Sequence, residues 1–261
     1  MPRIALGLEY DGTDFVGWQI QPTGRTVEGT LVDAVSFVAG APVTVYGSGR
    51  TDTGVHALHQ VAHFDAAVER TPRQWLLGIN SNLPPDVAIR WVREVPPGFH
   101  ARRSAVSRRY RYTVLLQPAR PALLRRRVWW LRQALDYGAM TAAATAWLGE
   151  RDFSAFRGAG CQAKTPMRRL TAVAIAHRQS GGGTLVTFEF TANAFLMHMV
   201  RNFVGTLVAV GSGELTPHDA AVILERRDRR EAGVTAPPEG LALVEVSYPP
   251  EFALPRYEDE P

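Results

Sequence analysis

Asp52 is the residue whose surroundings most invite chemistry. It lies in Gly47-Ser48-Gly49-Arg50-Thr51-Asp52-Thr53-Gly54, a loop with glycine at three positions. An aspartate in such a loop is commonly a turn former, because its short side chain bonds back to its own backbone. Presented to a substrate instead, the same carboxylate can attack a carbon and leave again, or take a proton. Arg201 is the second candidate, a cation within the apolar run Met197-His198-Met199-Val200-Arg201-Asn202-Phe203. A buried guanidinium without a carboxylate costs several kcal/mol, so Arg201 is either half of a structural ion pair or a clamp in an active site.

Charge supplies a third signal. Between His100 and Leu135 the chain carries ten arginines (102, 103, 108, 109, 111, 120, 125, 126, 127 and 132) and no acidic residue. A solvated face usually mixes both signs, so the run points to a polyanion. Arginine forks onto phosphate oxygens and stacks on bases, which favours a nucleic acid over a membrane surface. Trp129-Trp130 stands next to this run, although two adjacent tryptophans in a strand usually put one ring in the core.

Other sets of residues fit chemistry less well. His56, His59 and His63 have spacings that face one way on a helix, but Val61-Ala62-His63-Phe64 reads as a strand, so packing and hydrogen bonding are expected rather than zinc. Glycines 47, 49 and 54 match neither a dinucleotide fingerprint nor a P-loop. Cys161, the single cysteine, reads as a free thiol even with His177 in the chain. Asp52-Thr53-Gly54 is also the tripeptide of aspartic proteases, but those need two carboxylates sharing a proton, which Arg50 opposes, and an apolar lead-in strand.

The elements that must position these groups are legible from periodicity. Ile4, Leu6 and Leu8 alternate as a strand, and Tyr10-Asp11-Gly12-Thr13 makes a turn. Thr26 caps a helix carrying Val27, Leu31, Ala34, Val35 and Val38, which Pro42 ends; Val43 to Tyr46 then starts a strand leading into the Asp52 loop. Pro72 opens a short helix, and Asn82 to Pro97 reads as alternating loop and strand. Tyr110 and Tyr112 share one face of a strand. A helix follows from about Tyr137 to Leu148, two strands flank a turn at Gly181-Gly182-Gly183, and Phe195 to Val210 is helical. The tail after Pro249 is expected to be disordered. Such alternation implies an α/β or α+β architecture.

Composition sets the outer limits. Of 261 residues, 46% are hydrophobic and 21% charged, and the pI near 9.6 is owed to arginine, since Lys164 is the only lysine. One cysteine excludes an internal disulfide and any multi-cysteine zinc site. No apolar run reaches the roughly 18 residues of a membrane span, and no signal peptide is evident, so a cytoplasmic location is expected.

Gly49-Arg50-Thr51-Asp52-Thr53-Gly54-Val55-His56-Ala57 resembles the signature loop of the tRNA pseudouridine synthase A family, Arg-Thr-Asp-x-Gly-Val-His-Ala. The resemblance extends through Tyr10-Asp11-Gly12-Thr13 with Phe15 and Gly17-Trp18-Gln19, Asn82-Leu83-Pro84, Phe99-His100-Ala101-Arg102, Arg109-Tyr110-Arg111-Tyr112, Asp152-Phe153-Ser154-Ala155-Phe156, Met199-Val200-Arg201-Asn202, and Pro238 with Gly240-Leu241. It implies a long mixed, largely antiparallel sheet flanked by helices, in two α/β halves meeting at a central cleft. We place these halves at 1–104 and 105–248, with a tail at 249–261. It further implies that Asp52 is the nucleophile, that Tyr110 packs on the target base, that Arg201 pairs with Asp52, and that Arg50 keeps the nucleotide out of the stack. Arg102, Arg103, Arg108, Arg109, Arg111, Asn202 and Leu241 are the further expected substrate-binding residues. Pseudouridine at positions 38 to 40 of the tRNA anticodon stem-loop is the implied product, made by a homodimer without cofactor or metal. A non-catalytic RNA-binding protein is the remaining alternative, opposed by the intact set of Asp52, Tyr110 and Arg201.

Overall fold

The alternation of Ile4, Leu6 and Leu8 becomes β1 (Arg3–Tyr10), which pairs antiparallel with β3 (His56–Asp65) on one side and β4 (Val87–Val95) on the other. The computed structural model describes residues 1–257 and divides into two units: Met1–Ser107 with the chain from Ala242 onward, and Arg108–Leu241. In the first unit β1 is buried on both faces. Gly7 allows this, since a Cβ there would lie 2.0 Å from the Trp91 indole nitrogen. The sheet is also covered by α2 (Pro72–Asn82), whose Trp75 packs edge-on against Phe64 of β3 at 5.1 Å.

Local signals place the helices closely. Helix α1 (Val27–Ala39) starts where the Thr26 hydroxyl accepts from the Gly29 N–H, and it stops at Gly40 in the left-handed conformation (φ 69°), ahead of Pro42. Helix α2 opens on a capping box between Thr71 and Gln74. The strand expected over Val43 to Tyr46 shrinks to β2 (Tyr46–Gly47), opposite His63 and Ala62, because the Val43 N–H goes to the Ser36 hydroxyl (3.0 Å). Where alternating loop and strand were expected between Asn82 and Pro97, one nine-residue strand, β4, forms.

The second unit is a sheet in the order β5 (Ser107–Leu116), β9 (Gly183–Ala192), β8 (Met167–Ser180), β7 (Gly149–Asp152), antiparallel throughout, with β6 (Trp129–Leu131) parallel to β5. Gly181 (φ 57°) and Gly182 (φ 86°) form the two-residue turn of the β8–β9 hairpin. Helices α3 (Tyr137–Thr145), α4 (Met199–Gly211) and α5 (Pro217–Arg226) complete it. Phe203 of α4 sits at the centre of a buried cluster with Trp147, Phe153, Phe156 and Phe190. Helix α4 begins at Met199 rather than Phe195, because His198 takes a left-handed conformation (φ 61°). Each unit is a mostly antiparallel sheet with helices, the mixed class expected.

The division differs from the expected one at the C-terminal end. β10 (Leu241–Ser247) pairs parallel with β3, Ala242 opposite His56, so residues from Ala242 belong with the first unit. The expected disordered tail is packed where it is described: Phe252 meets the Phe99 ring edge-on at 5.1 Å and Tyr257 lies 6.4 Å from His59. Residues 258–261 lie outside the described residues. Among the described residues, no helix is long and apolar enough to cross a membrane.

Candidate active site

Asp52 occupies the connection from β2 to β3, half-buried between Thr51 (6% exposed) and Val55 (2%). The loop is clamped by the last residue of β1 and the segment that follows it. The Thr51 hydroxyl bonds the Tyr10 hydroxyl (2.8 Å), the Thr51 carbonyl accepts from the Trp18 N–H (3.0 Å), and the Gly54 N–H donates to the Phe15 carbonyl (3.3 Å). Inside the loop, the Val55 N–H donates to the Asp52 carbonyl (3.1 Å). On the β2 side, Gln60, with no exposed surface, accepts from the Ser48 hydroxyl and donates to the Gly49 carbonyl (3.0 Å). The backbone around Asp52 is therefore fixed by buried groups while the acid itself keeps access to solvent. Fixed presentation of this kind is what a nucleophile requires.

Two glycines make the clamp possible. Gly17 has φ +103°, and a Cβ there would lie 2.8 Å from the Thr51 carbonyl oxygen; at Gly12 a Cβ would lie 1.9 Å from that of Val55. Backbone must move to admit either side chain. Gly12→Ala is therefore expected to displace the Asp52 loop by about 1 Å and lower the rate of a reaction at Asp52 about 10²-fold with substrate affinity little changed. Single-turnover rates at saturating substrate check this, and an unchanged rate would contradict the clamp. The sequence marks Gly12 as part of a turn and Gly17 through the family resemblance, but carries no local signal for Tyr10 and Gln60 as loop anchors.

The three histidines of β3 are built into the fold. His56 Nδ1 accepts from the Gly12 N–H (3.0 Å), His59 Nε2 from the Trp91 indole N–H (2.9 Å), and His63 Nδ1 from the Ala101 N–H (3.2 Å). Burial, then Arg90, pushes His59 down to about 4; burial, then His100 and Arg3, does the same to His63. Both are neutral in the folded state at pH values where the unfolded chain, with its histidines near 6.5, already binds protons. Their contribution is thus fully present above about pH 6.5 and falls away toward pH 4, by about 1.4 kcal/mol per pH unit for each histidine. Urea midpoints should fall between pH 7.5 and 4.5; a flat profile would contradict this assignment.

In the second unit, Arg201 and Asn202 sit in the first turn of α4. Arg201 is half-buried, its Nε donating to the Ala236 carbonyl (2.7 Å) while the Ala236 N–H donates to the Arg201 carbonyl (3.1 Å). Segment 233–237 can run this close because Gly205 lies beneath it, where a Cβ would be 1.7 Å from the Val234 carbonyl oxygen. Asn202, expected to bind substrate, is wholly buried: its Nδ2 donates to the Phe156 carbonyl (2.8 Å), and its Oδ1 accepts from Arg229 (2.9 Å) and Thr235 (2.7 Å). Leu241 is likewise buried (5% exposed). Tyr110 is half-buried on β5 with its ring edge-on to Phe195 (5.1 Å). Tyr112, on the same face, is fully buried and donates to the Pro237 carbonyl (2.7 Å); burial, then the Glu239 charge, pushes its phenol up and keeps it neutral.

The expected phosphate-binding arginines separate into groups. Arg50, beside Asp52, is exposed, as are Arg102 and Arg103 on the turn after His100. Arg108 shares the Tyr110 face of β5 and donates to the Asn193 carbonyl (2.9 Å). Arg109 and Arg111 point from the opposite face and both engage Glu189 of β9, at 3.3 and 2.6 Å. They lie on the strand face away from Tyr110. Arg111 and Glu189 instead line a concavity of about 420 Å³ on that other face, with Thr113, Ala174, Ala176, Arg178, Leu185 and Thr187.

Comparison with known proteins gives a consistent picture. A family model described as tRNA pseudouridine synthase matches residues 8–102 and 143–249. The chain is 51% identical over 256 residues to tRNA pseudouridine synthase A of Coxiella burnetii, covering 98% of this chain and 97% of that protein. It is 51% identical over 262 residues to the enzyme of that name from Alcanivorax borkumensis (100% and 96%) and 50% identical over 254 residues to that of Nitrosococcus oceani (97% and 96%). Among solved structures, Cbf5 in a Cbf5-Nop10-Gar1 complex aligns over 92% of this chain at 10% identity with a TM-score of 0.36; this chain spans about half of that protein, 48%.

Proposed function

This chain belongs to the tRNA pseudouridine synthase A family, enzymes that isomerise uridine to pseudouridine in tRNA, and we propose that it acts at positions 38, 39 and 40 of the anticodon stem-loop with Asp52 as nucleophile and no cofactor. The observation that carries this reading is the half-buried Asp52 side chain on a loop pinned from both sides. The reaction breaks the bond from ribose C1′ to N1 of uracil, turns the base and rejoins it through C5, whose proton is lost to solvent. It involves neither redox change nor net hydrolysis. One carboxylate suffices, attacking C1′ or C6 or removing the C2′ proton.

In this reading Arg201 pairs with the Asp52 carboxylate. Extracting the base costs a few kcal/mol, offset by stacking on Tyr110, worth roughly 1 to 3 kcal/mol, and by Arg50 at the vacated position. Arg102, Arg103 and Arg108 take phosphates. Asn202 and Leu241, being buried, act as supports, and Arg109 and Arg111 serve the other sheet face. The protein works in the cytoplasm as a homodimer, which light scattering tests.

Tritium release from tRNA labelled at C5 of uridine tests the activity. Release with turnover is expected. Tight tRNA binding with no release would identify a non-catalytic RNA-binding protein instead.

A further inference from the structure

The second unit carries a second set of arginines, distinct from those beside Tyr110. β5 ends at Leu116, and the chain from Gln117 to Val128 forms a loop before β6. It is anchored at both ends. The Gln117 N–H donates to the Leu131 carbonyl (3.1 Å), the Trp130 indole donates to the Gln117 carbonyl (2.8 Å), and Val128 is buried with Leu115 and Leu185. Between the anchors, Arg120, Arg125, Arg126 and Arg127 are exposed, and Leu123 is 94% exposed. Beside them, Arg132 lies over the Trp130 ring at 4.8 Å.

Position separates this set from the base site. β6 runs parallel to β5 with Trp129 opposite Val114 and Leu131 opposite Leu116, so the loop's anchors are level with Val114 to Leu116. At a strand rise of about 3.3 Å these lie four to six residues, about 13 to 20 Å, from Tyr110. Charge separates it too. Arg109 and Arg111 share the Glu189 carboxylate, whereas Arg120, Arg125 and Arg132 form no ion pair with an acid among the described residues. The next acid along the chain, Asp136, caps α3 by accepting from the Ala139 N–H (2.9 Å). Exposed Arg120 and Arg125 on a pinned loop, offset along the strand from Tyr110, suit a phosphate backbone some nucleotides away from the target.

We propose that the loop 117–128 is a second, sequence-independent RNA-backbone site that grips the substrate away from the target uridine. This rests on the reading of tRNA as substrate. The test is direct tRNA binding by the full chain carrying Arg120→Gln and Arg125→Gln, measured across a salt series and followed by turnover. Each phosphate contact contributes about 0.7 to 0.9 to the slope of log K against log salt, so the slope should fall by about 1.5, with KM rising about 10-fold for every tRNA alike. At saturating tRNA, kcat should equal that of the parent, which also shows that the variant is folded. Unchanged slope and KM would overturn the proposal. So would a fall in kcat at saturation, which would place the loop at the target base, or a loss confined to anionic phosphatidylserine vesicles, which would assign the exposed Leu123 and its arginines to lipid. Binding is read without chemistry, so a chain that binds tRNA but makes no pseudouridine sinks the proposed activity and leaves this test standing.

Discussion

Asp52→Asn is expected to bind tRNA within a few-fold of the parent and to lose pseudouridine formation by about 10⁴-fold or more, the scale on which removal of a reacting group acts. Asparagine has nearly the same shape, and the bonds that fix the loop come from the Asp52 backbone and its neighbours: Thr51 to Tyr10 and Trp18, Gly54 to Phe15, Val55 to the Asp52 carbonyl. Loop geometry should survive the change while the nucleophilic oxygen does not. Filter binding and single-turnover conversion on one tRNA preparation separate the two effects. Appreciable residual turnover would remove Asp52 from the chemistry, and loss of binding in step with activity would make it a structural turn residue, its ordinary role in such loops.

Arg201→Gln should lower kcat about 10²- to 10³-fold at saturating tRNA, because the proposal gives its guanidinium a carboxylate partner at the reacting centre. Arg201→Lys should restore part of the rate. A purely structural role predicts otherwise. Losing the bond from Nε to the Ala236 carbonyl costs stability, about 1 kcal/mol, and lowers activity only as far as the protein unfolds. A loss of kcat in protein that stays folded at the assay temperature therefore supports the proposed pairing with Asp52.

How much of this was legible in the sequence depended on how local the cause was. Thr26, Pro42, Pro72 and Gly181-Gly182 act over a few residues, and the elements they start or stop fall close to where these local signals put them. The Asp52 loop was legible for the same reason, since its glycines and its acid are contiguous. Long-range partners were not. Glu189 pairs with both Arg109 and Arg111 from a strand some 80 residues away (80 and 78 positions), so an acid-free stretch of chain is not an acid-free surface. Asn202 was expected at the substrate through the family resemblance, yet Phe156, Arg229 and Thr235 occupy its amide from outside the helix. The parallel pairing of β10 with β3 spans most of the chain and has no short-range signal at all.

The central claim, that this chain rebuilds uridine in the anticodon arm of tRNA, is tested most directly by position-resolved mapping of pseudouridine in unmodified tRNA incubated with the purified protein. The account predicts new pseudouridine at positions 38, 39 and 40 and at no other uridine. Modification confined to another arm, or none in tRNA that the protein demonstrably binds, would contradict it.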